Sequence, residues 1–102
     1  MLDENMKIKD IESGMSNIEL IAKVISVSEP RTIMTKYGSA ELAKAIIEDD
    51  TGQITLNLWR DQVDMVKEGD TIKIEGAFAK SFRGEVELNV SRRGKITVLK
   101  GE

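Results

Sequence analysis

The chain has 102 residues, 40% of them hydrophobic and 32% charged, with a formal net charge of −3. That length suits one domain around one core, so residues 1–102 are read as a single unit. Having neither cysteine nor histidine, it offers no disulfide framework, thiolate nucleophile or zinc site, and no apolar run approaches the ~20 residues of a membrane span.

The first residues, Met1-Leu2-Asp3-Glu4-Asn5-Met6, are acidic and lack an apolar signal core. A cytoplasmic location with no membrane partner is therefore expected. The amphipathic run Met6–Ile11 leads to a turn at Ser13-Gly14. Ile18 to Ser28 reads as a long first strand rich in β-branched residues. Its apolar parity switches from Ile18, Leu20, Ala22 and Val24 to Ile25 and Val27, which predicts a bulge or bend midway.

Pro30 and Arg31 interrupt, Thr32 to Thr35 extend again, and Lys36-Tyr37-Gly38-Ser39 is a turn. Glu41 to Glu48 is ambiguous by propensity. It is read as a strand because Asp49-Asp50-Thr51-Gly52 is a hairpin turn leading into the clear strand 53–59. That turn also accounts for the acidic cluster Glu48-Asp49-Asp50 without a bound cation. Arg60 to Lys67 reads as a short helix with Val63 and Val66 inward. Thr71 to Ala77 is the next strand, Ala79 to Gly84 a loop, Glu85 to Val90 a strand, and Lys95 to Leu99 a last short strand.

Many short strands with turn signals suggest a small all-β barrel. A five-stranded Greek-key barrel with a short helix between strands three and four is the oligonucleotide/oligosaccharide-binding (OB) arrangement. In that fold the ligand crosses strands two and three, between the loops joining strands one to two and four to five.

The four aromatics fit that placement. Trp59 has the strand parity of Thr55 and Asn57, opposite to Ile54, Leu56 and Leu58, and so lies on the polar face. Phe82 stands in a loop between Lys80 and Arg83. Phe78 shares the parity of Ile72 and Ile74, which makes it core unless Gly76 marks a bulge that flips the face. Tyr37 is at a loop tip, able to stack or merely exposed. Arg31, Lys36, Lys44, Lys80 and Arg83 are phosphate candidates, and Arg92 and Arg93 either extend the groove or solvate the end strand. Thr35, Thr55 and Asn57 can bond base edges or sugars, although ordinary cross-strand pairing explains them as well. Aromatic faces interleaved with cations are what a single strand of nucleic acid needs, bases stacking while phosphates are neutralised.

The chain also resembles a family, the archaeal single-stranded DNA-binding proteins and the related domains of replication protein A. The resemblance spans roughly Ile8 to Ile96. It is carried by Ser28-Glu29-Pro30-Arg31, Thr35-Lys36-Tyr37-Gly38, Asp50-Thr51-Gly52, Leu56-Asn57-Leu58-Trp59, Lys67-Glu68-Gly69-Asp70 and Gly76-Ala77-Phe78-Ala79-Lys80-Ser81-Phe82-Arg83-Gly84. It implies that Trp59, Phe78 and Phe82 stack on successive bases and that Arg31 contacts the backbone. Phe78 stands where close relatives often carry tryptophan, and the flexible Gly-rich or acidic C-terminal tail of many relatives is absent.

The expected function is single-stranded DNA binding with little sequence preference, in replication, repair and recombination, by a monomer that needs no cofactor. Other replication or repair proteins are further expected partners. Two alternatives remain: an RNA-binding barrel of the kind appended to tRNA synthetases, and a protein-interaction domain of a replication complex. No His/Cys pair, Walker-type loop or Ser-centred elbow supports an enzyme.

Overall fold

The computed structural model describes residues 6–99, the side chain of Arg92 excepted. The acidic segment 1–5 and residues 100–102 lie outside the described residues. Six strands form the chain: β1 (Ile18–Val27), β2 (Arg31–Thr35), β3 (Gly38–Asp49), β4 (Gly52–Trp59), β5 (Thr71–Phe82) and β6 (Glu85–Leu99). They lie in the order β1-β5-β6-β4-β3-β2, and β1 also pairs with β3. That last pairing closes β1, β5, β6, β4 and β3 into the five-stranded OB barrel, with β4 and β6 parallel and the other pairs antiparallel. β2 pairs only with the start of β3, so the two form a hairpin arm beyond the barrel wall.

Period-two alternation fills the interior. Leu20, Val24, Ile47, Leu56, Leu58, Ile72, Ile74 and Leu88 are fully buried, each contributing roughly 1.5–3 kcal/mol. All the buried hydrophobic residues are aliphatic. The aromatics are therefore surplus to the core, as the sequence positions of Trp59 and Phe82 predict and that of Phe78 leaves open. Val63 and Val66 are buried too, and the short helix expected over 60–67 is present as a 3-10 helix at Arg60–Asp64. Among the described residues no helix is long and apolar enough to cross a membrane.

The bulge expected in the first strand is present: the β1–β3 register shifts between Val24 and Ser26. Two expectations are corrected. The loop read over 79–84 is strand as far as Phe82, closed by a two-residue turn in which Arg83 and Gly84 both have positive φ, 53° and 85°. Such a turn matches the twist of the strands it joins, so pairing runs to its edge. The strands read at 85–90 and 95–99 are one strand, β6. It arches between them, because Glu75 pairs with Lys95 while Ala77 pairs with Val90, leaving Gly76 alone against residues 91–94.

Gly76 has φ +72°, and its neighbour across the bulge is the Gly94 backbone. The bulge resets the parity of β5. Ile72 and Ile74 are buried before it, Ala77 and Ala79 after it. Phe78 is thereby turned to the outer face, opposite Asn89.

Asp49 organises the turn between β3 and β4. Its carboxylate accepts hydrogen bonds from the Thr51 hydroxyl at 2.6 Å, from the Thr51 and Gly52 amides at 2.7 and 3.2 Å, and from the Ile8 amide at 2.9 Å. Partial burial works against its ionisation, but these bonds outweigh it and hold the carboxyl below its ordinary value. The Ile8 bond ties the N-terminal 3-10 turn, with buried Ile8 and Ile11, across the barrel end. Asp49→Ala is predicted to cost about 2 kcal/mol or more in urea melts at neutral pH. A carboxyl with a depressed folded pKa stabilises above its unfolded value, about 4, and ceases to do so as pH falls through the folded value. The gap between wild type and variant should therefore close in acid.

Candidate nucleic-acid interface

The outer face of the barrel can be derived strand by strand. On β3, Ala43, Ala45 and Ile47 point inward and are buried, so Leu42 and Lys44 point outward. On β4, Leu56 and Leu58 fill the core, so Asn57 and Trp59 point outward. Register then sets the rows. Leu42 lies opposite Trp59 and Lys44 opposite Asn57; Asn57 lies beside Asn89, and Asn89 faces Phe78. One step along, Glu87 lies beside Thr55 and faces Lys80.

A groove of ≈ 770 Å³ runs over this face, bounded by the β2–β3 arm on one side and the β5–β6 hairpin on the other. Arg31, Lys44, Lys80 and Arg83 supply its positive charge, with Glu29 and Glu87 opposing; Trp59 and Phe82 supply its rings. The arm is seated by a reciprocal pair of bonds at the end of β1. The Ser28 amide donates to the Lys44 carbonyl at 2.8 Å, and the Lys44 amide donates to the Ser28 hydroxyl at 2.9 Å. Pro30, which has no N–H to place in a ladder, then lets the chain leave β1 and turn back as β2. That path brings Arg31 to the groove.

Trp59 is half-buried. Its indole N–H donates to Asn89 Oδ1 at 3.2 Å, and its backbone N–H donates to Gln62 Oε1 at 3.0 Å. The next residue, Arg60, has φ +55°, a conformation uncommon outside glycine. The ring is thus oriented from both ends. Phe82 is 52% exposed, and the Arg83 guanidinium and Lys44 ammonium lie 5.2 and 5.5 Å from its ring centre. These are cation–π distances.

The expected site residues divide in two. Arg31, Lys44, Asn57, Trp59, Lys80, Phe82 and Arg83 line the groove together. Lys36, Tyr37 and Phe78 are not in its lining. Tyr37 is 83% exposed at the arm tip with the Lys36 ammonium 5.5 Å from its ring centre. Phe78 stands beside the groove, across from Asn89. Of the secondary candidates, Thr55 and Arg93 lie outside the lining as well, and the Arg92 side chain is outside what the structure describes.

Two roles differ from the sequence reading. Asn57 is buried, and the Lys44 ammonium donates to its Oδ1 at 2.9 Å and to Glu87 Oε1 and Oε2 at 3.1 and 3.3 Å. Lys44 is therefore paired inside the groove, whereas no salt bridge to Arg31, Lys80 or Arg83 is found among the described residues. Glu87 is buried under that ammonium. Its place and that of Asn89 depend on the parallel β4–β6 pairing, which no local pattern announces. Ile33 and Leu42, the apolar part of the lining, escaped notice for a related reason: they look like ordinary strand alternation.

Comparison with known proteins agrees with this architecture. The family described as single-stranded DNA binding protein Ssb-like, OB fold, matches residues 11–98. The chain is 36% identical over 90 residues to the single-stranded DNA binding protein Ssb of Saccharolobus solfataricus, covering 88% of this chain and 61% of that protein. It is 35% identical over 103 residues to replication factor A of Methanothermobacter thermautotrophicus, covering 94% of this chain and 13% of that protein. The chain thus spans less than two thirds of the length of either relative. The solution structure of a replication factor A related protein from Methanobacterium thermoautotrophicum superposes with a TM-score of 0.78 at 30% identity, covering 94% of this chain and 91% of that one. A barrel closed in OB order, a family match across nearly its whole length and relatives of this kind place the chain in the single-stranded DNA binding protein Ssb-like, OB-fold family.

Proposed function

We propose that the groove binds single-stranded DNA, bases stacking on Trp59 and Phe82 while Arg31, Lys80 and Arg83 neutralise phosphates along its rim. One observation carries the reading: two rings that the core does not need, Trp59 half-buried and Phe82 exposed, border a single groove whose edge cations Arg31, Lys80 and Arg83 have no carboxylate partner among the described residues. Family membership supports it, since the Saccharolobus relative is named as a single-stranded DNA binding protein. Phe78, across from Asn89, and Tyr37 with Lys36 on the arm extend the same track to either side. Stacking and phosphate contacts are indifferent to base identity, so the binding has little overall sequence preference. Its biological setting would be the protection of exposed strands in replication, repair and recombination, beside other proteins of those processes.

The test is a titration of the protein with oligo(dT), reading quenching of Trp59, the chain's one tryptophan, together with anisotropy of a labelled strand. Strong quenching is expected. For single strands each phosphate contact contributes about −0.7 to the slope of log affinity against log salt. Arg31, Lys80 and Arg83 together predict a slope of about −2, and Arg83→Ala should reduce it by about 0.7. Flat signals in both channels at low salt would overturn the reading and leave a protein-interaction barrel in its place. Preference for structured RNA over oligo(dT) would reassign the groove to RNA.

A further inference from the structure

A carboxylate on the floor of a groove for a polyanion is unexpected on electrostatic grounds alone. The Glu87 side chain is 12% exposed and lines the groove. Its Oε1 accepts two hydrogen bonds, from the Lys44 ammonium at 3.1 Å and the Asn57 amide at 3.0 Å. Among the described residues its Oε2 accepts only one, from Lys44 at 3.3 Å. A carboxylate oxygen has two lone-pair sites, so Oε2 keeps one for a ligand. The Lys44 ammonium commits its three donors to Asn57 Oδ1 and the two Glu87 oxygens, but the Asn89 amide NH2 also lines the groove, its oxygen engaged by Trp59. The floor therefore offers both an acceptor and a donor. The same Lys44 ammonium lies 5.5 Å from the centre of the Phe82 ring, so it bridges carboxylate and stacking platform.

We infer that Glu87 reads the edge of the base stacked at Phe82 and makes this subsite prefer cytosine to thymine or uracil. The inference rests on the single-stranded DNA reading above. A phosphate is repelled by Glu87, so the backbone stays on the rim with Arg31, Lys80 and Arg83, and the bases turn inward. Cytosine presents a 4-amino donor beside the N3 and O2 acceptors. Its amino group donates to Glu87 Oε2, as carboxylates accept from that group elsewhere. Its N3 acceptor meets the Asn89 amide donor. Thymine and uracil place a 4-carbonyl oxygen against the carboxylate, and two acceptors repel. Lys44 is a positioning residue in this scheme, holding the carboxylate by charge and geometry.

Oligo(dC) and oligo(dU) of equal length isolate the contact, because the two bases have nearly equal stacking area and both lack the thymine methyl. Anisotropy competition at mildly alkaline pH, where cytosine stays unprotonated, should show wild type binding oligo(dC) roughly five- to tenfold more tightly. Glu87→Gln has the same shape, and its amide can donate to a 4-carbonyl, so the two affinities should converge. A circular dichroism melt confirms that the variant is folded. Equal, tight binding of both strands by wild type would overturn the inference and leave the single-stranded DNA reading standing. So would a cytosine preference that survives Glu87→Gln, since the discrimination would then arise elsewhere. Absence of binding to either strand would remove both.

Discussion

Trp59→Ala is expected to weaken binding to oligo(dT) by about 1–3 kcal/mol, a five- to 150-fold loss of affinity, without unfolding the barrel. The buried hydrophobic residues are all aliphatic, so the indole can be removed with little effect on the core. The affinity loss has two sources. One is the stacking surface itself. The other is orientation: indole N–H and backbone N–H are both held, by Asn89 and Gln62, so the ring meets a base already in place and loses little entropy on binding. Trp59→Phe keeps a stacking face but loses the bond to Asn89, and should fall between wild type and alanine. Phe82→Ala should add a comparable loss, because its ring lies on another strand and is placed by another hairpin. Isothermal or anisotropy titration of the two single variants and the double variant measures how far the losses add. A folded double variant that still bound oligo(dT) tightly would sink the stacking mechanism.

Gly94→Ala is expected to be the most destabilising single methyl addition in the barrel. A Cβ there would stand 2.3 Å from the Glu75 carbonyl oxygen, 2.8 Å from that of Gly76 and 2.8 Å from Val90 Cγ1. Two of those three atoms are backbone, so relief requires moving β5 or β6 rather than turning a side chain. Overpacking of this kind costs about 1–3 kcal/mol, and the rigid neighbours place it at the upper end. For a domain whose total stability is about 5–15 kcal/mol, that is a large share. Gly52→Ala is the control, because its Cβ would meet only Ile8 Cγ2 at an ordinary 3.8 Å. Urea melts should show a large fall in midpoint for Gly94→Ala and a small change for Gly52→Ala. The effect should reach function as well. Gly76 and Gly94 cross where the β5 parity resets, and that reset faces Phe78 outward and sets the phase of Lys80 and Phe82 over the groove.

Much of this was legible in the chain itself, and the reason is locality. Hydrophobic alternation is a nearest-neighbour property, so Leu56 and Leu58 inward with Trp59 outward followed from the sequence around them. The switch of parity after Val24 marked its bulge for the same reason, as did the Asp49–Gly52 turn, whose side chain bonds its own neighbours. Phe78 stayed undecided because its facing depends on whether Gly76 adopts positive φ, and that depends on Gly94 eighteen residues away. The 79–84 loop became strand because Arg83 accepts a left-handed conformation in the turn, which propensity disfavours for arginine.

By itself, then, the sequence determined the class of fold, the aliphatic core, the outward facing of Trp59 and the family resemblance, all of them written in short-range pattern. Tertiary structure alone decided how those parts meet. The β1–β3 pairing closes the barrel, the parallel β4–β6 pairing sets Glu87 and Asn89 beside Thr55 and Asn57, and the arm brings Arg31 to face Lys80 and Arg83. It also settled which cations stay available to a ligand. Lys44 and Arg83 are alike as charges in a sequence, but among the described residues only Lys44 of the two has a carboxylate within 4 Å. Charge partners are chosen by distance in space, which a register between remote strands fixes and a linear chain does not record.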